Sequence, residues 1–178
     1  MLGELQSQTE RISCFADTMK NINRLDEIII SRAYVSQADL LAKTEAILTV
    51  LAQKYAKQFE VHSELKEQQL NLDISIFLEV LENLIDNAMR FSVQCVRVEF
   101  RYSQSLLNVC VHDDGKGFQP DELSKAVNPY YHGESVGTEH YGMGLYICKM
   151  LCEKHGGFLR VYNSPGCLLY TSPSPRDS

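Results

Sequence analysis

Residues 82–90 decide the fold, and they read Glu82-Asn83-Leu84-Ile85-Asp86-Asn87-Ala88-Met89-Arg90. On a helix, Asn83, Asn87 and Arg90 fall on one stripe, at i, i+4 and i+7, while the opposite stripe is apolar. An amide oxygen suits Mg²⁺, which keeps phosphate oxygens and waters as its other ligands. An arginine one turn further on can pair with phosphate. Taken alone, the same stripe is equally consistent with a solvated polar face.

Two glycine-containing segments follow in the chain. The first, Asp113-Asp-Gly-Lys-Gly-Phe118, comes directly after a β-rich run. A carboxylate at a strand end can accept a hydrogen bond from an adenine amino group, and glycines let the backbone approach a flat base. The second, Gly142-Met-Gly-Leu145, opens a predicted helix whose N-terminal amides favour a phosphate. Each segment alone is a weak signal, since most such strings are only turns.

The order of these segments resembles that of the GHKL superfamily of ATPases and kinases, and within it the catalytic domain of bacterial sensor histidine kinases. The resemblance covers about residues 73–157. Residues 83–88 resemble the N box of the family, residues 113–118 its G1 box, and residues 141–157 its G2 box with the helix behind it. Residues 128–133 stand where the family keeps its F box, but the usual leading phenylalanine is missing.

The resemblance implies a role for each motif residue in binding Mg²⁺ and ATP. Asn87 would hold the Mg²⁺ that bridges the phosphates, with Asn83 beside it and Arg90 on a phosphate, and these three form the catalytic set. Asp113 would bind the adenine amino group, and residues 119–141 would form a lid over the nucleotide. The full expected nucleotide-binding set is Asn83, Asn87, Arg90, Phe91, Asp113, Gly115, Gly117, Phe118, Gly142, Met143, Gly144 and Leu145.

The residue four positions before Asn87 separates a kinase from a hydrolase. Gyrase-like and chaperone-like relatives carry a water-activating glutamate there, whereas this chain has Asn83, whose amide cannot take a proton. The neighbouring Glu82 points about 100° away on a helix. We therefore expect slow hydrolysis and transfer to a protein histidine. A serine kinase of the anti-sigma-factor type and a non-catalytic nucleotide-binding module are the alternatives.

The N-terminal region bears on two questions: whether the chain contains the histidine that accepts the phosphoryl group, and which proteins the full-length kinase binds. A helix is predicted over residues 6–32, with a coiled-coil seam of Ile12, Phe15, Met19, Ile22 and Ile29. It resembles the second helix of the dimerisation hairpin of the family, which implies a homodimer and a response-regulator partner for the full-length kinase. No histidine precedes this helix, so we expect the fragment to lack its acceptor. Surface or packing roles suit the five that are present, His62, His112, His132, His140 and His155.

The expected fold is a two-layer α/β sandwich, with three helices over a mixed, mostly antiparallel sheet.

We assign residues 1–33 to a partial dimerisation and phosphotransfer helix and residues 34–166 to the ATP-binding domain. Residues 167–177 are the translation of a string that resembles a sequencing-library adapter, so residues 167–178 are expected to be a non-native tail; a native Ser/Pro-rich tail is the alternative. The last strand of the family would then be missing, which would leave an open sheet edge.

Within the ATP-binding domain the sequence predicts a helix from the Ser36 cap to about Gln58, a strand over Phe59–His62 and a helix capped by Asp73. A hairpin over residues 95–102 and 106–112, a helix over 143–155 and a strand over 158–162 follow.

Composition narrows the class of protein further. The net charge of −6 argues against nucleic acid as a main partner, because a phosphate-backbone binder needs a basic face. No run approaches the roughly 20 apolar residues of a membrane span. The six cysteines form no Cys-x-x-Cys pair, which favours buried thiols in a reducing compartment over a metal site. We expect a cytoplasmic domain, whose parent protein can carry a membrane anchor elsewhere.

Overall fold

The computed structural model describes residues 25, 27–67, 69–103, 106–128, 143–163 and 167–173, the last range by its backbone alone. In chain order the elements are β1 (Ala33–Ser36), α1 (Gln37–Tyr55), β2 (Gln58–Ser63), β3 (Gln69–Leu72), α2 (Ile74–Phe91), β4 (Cys95–Ser103), β5 (Leu106–Asp113), α3 (Pro120–Leu123), α4 (Gly144–Lys154), β6 (Phe158–Tyr162) and β7 (Cys167–Pro173). Among these helices, none has the length and apolar character that crossing a membrane requires.

Five strands form the main sheet in the order β2-β4-β5-β7-β6. Strands β2 and β4 run parallel, and the other neighbours are antiparallel. Alternate side chains of β4 and β5 are buried on one face, among them Val98, Phe100 and Val109. Helix α2 packs against β4 and β5 on that face and lies between α1 and α4. The predicted two-layer α/β sandwich is therefore confirmed.

Two side-chain caps start the helices that flank the small β1–β3 sheet. Ser36 Oγ accepts a hydrogen bond from Asp39 N at 3.1 Å, and Asp73 Oδ1 accepts from the amides of Ser75 and Ile76 at 3.1 and 3.2 Å. Such caps satisfy amides that the first helical turn leaves unpaired. Helix α1 ends at Tyr55, three residues earlier than predicted, because Ala56 adopts a left-handed backbone with φ 53°.

Two predictions about the chain between helices are corrected. The sequence predicts no element between the strand over Phe59–His62 and the helix capped by Asp73, and this stretch is expected to be a polar connection, but residues 69–72 form β3, which pairs antiparallel with β1. Leu70 and Leu72 alternate with polar neighbours and are 3% and 2% exposed, so the strand is fixed by their burial. The N-terminal helix was predicted to reach Arg32, but residues 28–32 have no regular structure. Residues 1–24 lie outside the described part of the chain.

The prediction of an open edge after Gly166 is wrong. Residues 167–173 form β7, which lies between β5 and β6 and pairs antiparallel with both. Backbone pairing does not require a native sequence, and the uncharged run Leu168–Thr171 has a high β-propensity. The adapter origin of residues 167–178 stays a prediction.

A buried histidine joins the ends of α2 and α4. His155 is 0% exposed, and its Nε2 accepts a hydrogen bond from Asp73 N at 2.9 Å. The segment before β1 is bound at the same place, since Ser31 N donates to Asp73 Oδ2 at 2.8 Å and Arg32 Nη2 donates to His155 O at 2.7 Å. Burial and the nearby Arg32 guanidinium, opposed by Asp73, lower the pKa of His155 to about 4. The imidazole is therefore a neutral acceptor in the folded protein.

This lowered pKa predicts an acid-sensitive stability. Between the folded pKa of about 4 and the ordinary value of 6.5, the unfolded chain binds a proton that the folded chain does not. The free energy of unfolding should thus rise from pH 4 to pH 6.5, with a His155 contribution on the order of 2–3 kcal/mol. Urea unfolding at a series of pH values checks this.

His155→Gln keeps a hydrogen-bond acceptor but cannot titrate, so its stability should depend less steeply on pH. Equal slopes for wild type and His155→Gln would contradict the role given to this histidine.

Candidate functional site

Helices α2 and α4 run antiparallel, which brings the asparagine stripe to the start of α4. Asp73 N contacts His155 Nε2 at one end, and seven residues further along α2 the Val80 carbonyl lies 3.7 Å from Cys148 Sγ, seven residues back along α4. A further seven residues along α2 lead to Asn87, and the same step back along α4 leads past its first residue, Gly144. Asn87 therefore lies towards the start of α4. Two of the three predicted motifs therefore share one end of the helical layer.

The last two turns of α2 carry Asn83, Asn87 and Arg90, all half-buried. Asn83 Nδ2 donates to the Glu79 carbonyl at 2.8 Å, and Asn87 Oδ1 accepts from Arg90 Nη2 at 3.2 Å. Arg90 Nε is buried and has no hydrogen-bond partner among the described residues. A buried donor without a partner is costly, so this arrangement suits an anion beside Asn87.

Phe91 extends this cluster towards the solvent. The residue is 46% exposed, and the Arg90 guanidinium carbon lies 5.0 Å from the ring centroid. A guanidinium at this distance is attracted to the aromatic face. The exposed side of the ring is thus free to stack on a flat ligand.

Asp86, on the neighbouring stripe of α2, connects the site helix to α1. Its Oδ1 accepts from Lys54 Nζ at 3.0 Å and from the Tyr55 hydroxyl at 2.8 Å. Burial opposes ionisation, but these hydrogen bonds outweigh it and the pKa of Asp86 lies below its ordinary value. The carboxylate is therefore ionised and holds α1 against α2. The sequence had suggested no role for it.

The turn after β5 contacts the end of α2 directly. Asp113 Oδ1 accepts from Gly115 N at 2.9 Å, and partial burial raises the pKa of this carboxyl above its usual value. A Cβ added at Gly115 would overlap the Phe91 carbonyl oxygen and would lie 2.7 Å from Asp113 Oδ1. Only glycine allows this approach of the turn to the helix end. The third motif thus joins the other two.

Gly117 and Phe118 complete the turn with a partner that the sequence did not reveal. Gly117 has a φ of +68°, in the region that favours glycine. Asn163, just after β6, accepts from Phe118 N at 2.8 Å and donates through Nδ2 to the Phe118 carbonyl. A side-chain amide supplies both a donor and an acceptor, so it binds the backbone of one residue twice.

The start of α4 has the features expected of a phosphate site. Met143 is buried and gives no side-chain hydrogen bond to the first turn, and an added Cβ at Gly144 would meet no atom of the described residues within 4 Å. Leu145 is half-buried. First-turn amides that the N-cap side chain leaves unpaired suit an anion.

The predicted lid begins with α3, whose first turn is tied by a hydrogen bond of 2.8 Å from Gln119 N to Glu122 Oε2. Gly142 and most of the lid, residues 129–142, lie outside the described residues.

The residues present fit a magnesium ion that is carried in by a nucleotide. Among the described side chains, no group of three or more His, Cys, Asp or Glu residues could hold a metal ion by itself. Asn87 Oδ1 would supply one hard oxygen, and the guanidinium of Arg90 lies beside it, a group that can pair with phosphate. Mg²⁺ accepts such a site because phosphate and water oxygens fill its other positions.

A protein-family model, described as histidine kinase-, DNA gyrase B-, and HSP90-like ATPase, matches residues 72–174, which is more than half of the chain. The chain belongs to this family. The resemblance inferred from the motifs is thereby confirmed, and the matched range extends from the end of β3 through β7.

Individual relatives agree with this assignment. Sensor protein SrrB of Staphylococcus aureus is 27% identical over 175 residues, an alignment that covers 88% of this chain and 30% of SrrB. Full-length ShkA in complex with AMPPNP has a similar fold, with a TM-score of 0.78 at 19% identity, covering 99% of this chain and 38% of ShkA. Histidine kinase ThkA in complex with the response regulator TrrA has a TM-score of 0.74 at 17% identity, covering 94% and 49%. The chain thus spans less than a third of the length of SrrB.

Two glycines of the site should differ sharply in their tolerance of a methyl group. Gly115→Ala forces the turn away from Phe91 and should destabilise the domain by about 1–3 kcal/mol. Gly144→Ala places a methyl group in a helical position where no described residue lies within 4 Å, and it should change stability by less than about 1 kcal/mol. Thermal unfolding of both variants without nucleotide checks this. Equal losses in the two variants would contradict the close approach at Gly115.

Proposed function

We propose that this chain is the Mg·ATP-binding catalytic domain of a two-component sensor histidine kinase. One observation carries the proposal: the Asn87–Arg90 pair and the Asp113–Gly115 turn meet at the C-terminal end of α2. A metal-ligating amide, a phosphate-pairing cation and an adenine acceptor thereby lie at one end of the domain. Such a set complements both parts of a nucleotide, the charged phosphates and the planar base.

The residues divide the work between the phosphates and the base. Asn87 would hold the Mg²⁺, which neutralises phosphate charge, and Arg90 would contact a phosphate with the guanidinium that already lies beside Asn87. Asp113 would accept from the adenine amino group, and Phe91 would stack on the ring. Phosphoryl transfer depends mainly on such positioning and charge neutralisation.

The local structure of α2 favours transfer over hydrolysis. Asn83 occupies the position of the water-activating base, and its amide nitrogen is used in a hydrogen bond to the Glu79 carbonyl. Glu82 is exposed on a neighbouring stripe of the helix. With no carboxylate at position 83, water at the γ-phosphate has no base there to accept its proton.

The acceptor of the phosphoryl group would be a histidine elsewhere in the full-length protein. His155 is buried at the end of α4 away from Gly144. His62 and His112 are on strands, where they lie 3.4 Å from Glu60 and 3.7 Å from Glu99. His132 and His140 lie outside the described residues. By analogy with ThkA, which was solved with its response regulator, a response regulator would receive the phosphate from a homodimeric parent kinase.

Incubation with γ-labelled Mg·ATP tests both parts of this proposal. The purified chain should release inorganic phosphate slowly and should not acquire a rapid acid-labile label. Asn83→Glu places a carboxylate at the base position and should raise hydrolysis by roughly tenfold or more. Glu82→Gln is the matched control and should leave hydrolysis unchanged.

Three outcomes would count against the proposal. Rapid acid-labile labelling of the chain itself would show that the acceptor is present after all. Unchanged hydrolysis in a folded Asn83→Glu variant would show that position 83 does not face the γ-phosphate. Acid-stable labelling of an added protein substrate would favour a serine kinase instead.

A further inference from the structure

Residues 92–95, which connect α2 to the first residue of β4, are bound by the side chain of Asp114, the residue that directly follows β5. Asp114 Oδ1 accepts from Val93 N at 2.7 Å and from Gln94 N at 3.0 Å, while Oδ2 accepts from Gln94 N at 3.0 Å and from Cys95 N at 3.2 Å. One carboxylate thus binds three successive backbone amides. Charge-assisted hydrogen bonds of this kind are the stronger ones in proteins.

The carbonyl groups of the same connection are bound from the opposite direction. Lys57, between α1 and β2, donates from Nζ to the carbonyls of Ser92 and Val93, both at 2.7 Å. An anion therefore holds the amides and a cation holds the carbonyls of one loop. We call Lys57, Asp114 and residues 92–95 the loop clamp.

The loop clamp holds one end of the candidate site against the other. Its loop begins directly after Phe91, which ends α2, and Asp114 lies between Asp113 and Gly115. Gly115 in turn contacts the Phe91 carbonyl. The distance between the Asp113 carboxylate and the aromatic ring of Phe91 is consequently fixed by groups that need not touch a ligand.

We propose that Asp114 and Lys57 are positioning residues that set the adenine specificity of this nucleotide site, an inference that rests on the function proposed above. Adenine presents an amino donor at the position where guanine presents a carbonyl acceptor. A carboxylate at the right place accepts from the first and is repelled by the second. This discrimination depends on geometry, because hydrogen bonds weaken steeply as they bend. If the loop moves Phe91 relative to Asp113, the site no longer discriminates between adenine and guanine.

Two observations support the ionised state and the rigidity that this role requires. Burial opposes ionisation of Asp114, but the amides of Gln94, Cys95 and Val93 outweigh it and keep the pKa of the carboxyl below its ordinary value. The connection is short, with Ser92 itself buried and bonded from its amide to the Ala88 carbonyl at 2.8 Å. The clamp therefore holds a loop with little freedom of its own.

The test is the ratio of affinities for non-hydrolysable ATP and GTP analogues, measured with Mg²⁺ by calorimetry together with the number of sites. Asp114→Ala should lower the preference for ATP by roughly 5–20-fold, less than the roughly 10–100-fold of a hydrogen bond to a charged group, because the bond is displaced and not removed. Lys57→Met should act in the same direction, and Asp114→Asn, which keeps one acceptor oxygen, should lie between Asp114→Ala and wild type. Glu64→Ala is the control, since this exposed carboxylate pairs with Arg101 and should leave the ratio unchanged.

Thermal unfolding of each variant separates positioning from mere stabilisation. A purely structural role lowers the unfolding temperature and the number of competent sites but leaves the ATP-to-GTP ratio at the wild-type value, and that result in Lys57→Met and Asp114→Asn would overturn the inference. Wild-type protein that binds both analogues without preference would also overturn it. If wild-type protein binds neither analogue, the proposed function is contradicted, and the inference about adenine specificity, which rests on it, is contradicted too.

Discussion

The carboxylate of Asp114 accepts hydrogen bonds from the amides of Val93, Gln94 and Cys95, and through them the end of β5 is joined to the end of α2. Many apolar side chains pack between the sheet and the helical layer. This packing sets the distance between the two layers, but it does not set the positions of individual polar groups. Hydrogen bonds to the backbone of a loop do set the positions of polar groups, because hydrogen bonds are directional. The position of Asp113 relative to Phe91 depends on this interaction, because Asp114 directly follows Asp113 and the first amide that it binds lies two residues after Phe91.

The two ends of the α2–α4 pair differ in how their polar groups are satisfied. At the far end, Asp73, His155, Ser31 and Arg32 bind one another through buried and half-buried hydrogen bonds. At the near end, Arg90 Nε has no partner among the described residues. Buried polar groups are in most cases hydrogen-bonded, so an unpaired buried donor beside Asn87 calls for an explanation, and a bound anion supplies one. One end of this helix pair is thus closed by its own hydrogen bonds, and the other end keeps an unpaired donor where the nucleotide site is proposed.

Local patterns predicted most of the fold, and interactions between distant residues account for the rest. The Ser36 and Asp73 caps and the hairpin are set by residues within a few positions of one another, so their signals are visible in the sequence. Asn163 and Lys57 act on residues 45 and 35 positions away, and nothing nearby marks them. The motif residues could be named because their order matches a family, whereas the bonds among Asn87, Arg90 and Phe91 required the structure. Strand β7 was missed because backbone pairing depends on an available sheet position and not on the origin of the segment.

The most direct measurement is a calorimetric titration of wild type and Asp113→Asn with a non-hydrolysable ATP analogue in the presence of Mg²⁺. Asparagine keeps the shape of the side chain but replaces a charged acceptor, so the substitution should weaken binding by about 1–3 kcal/mol at an unchanged number of sites. Asp39→Asn, an exposed carboxylate on α1, serves as the control and should bind as wild type does. Equal affinity of wild type and Asp113→Asn would contradict the assignment of the β5 turn to the adenine end of the site.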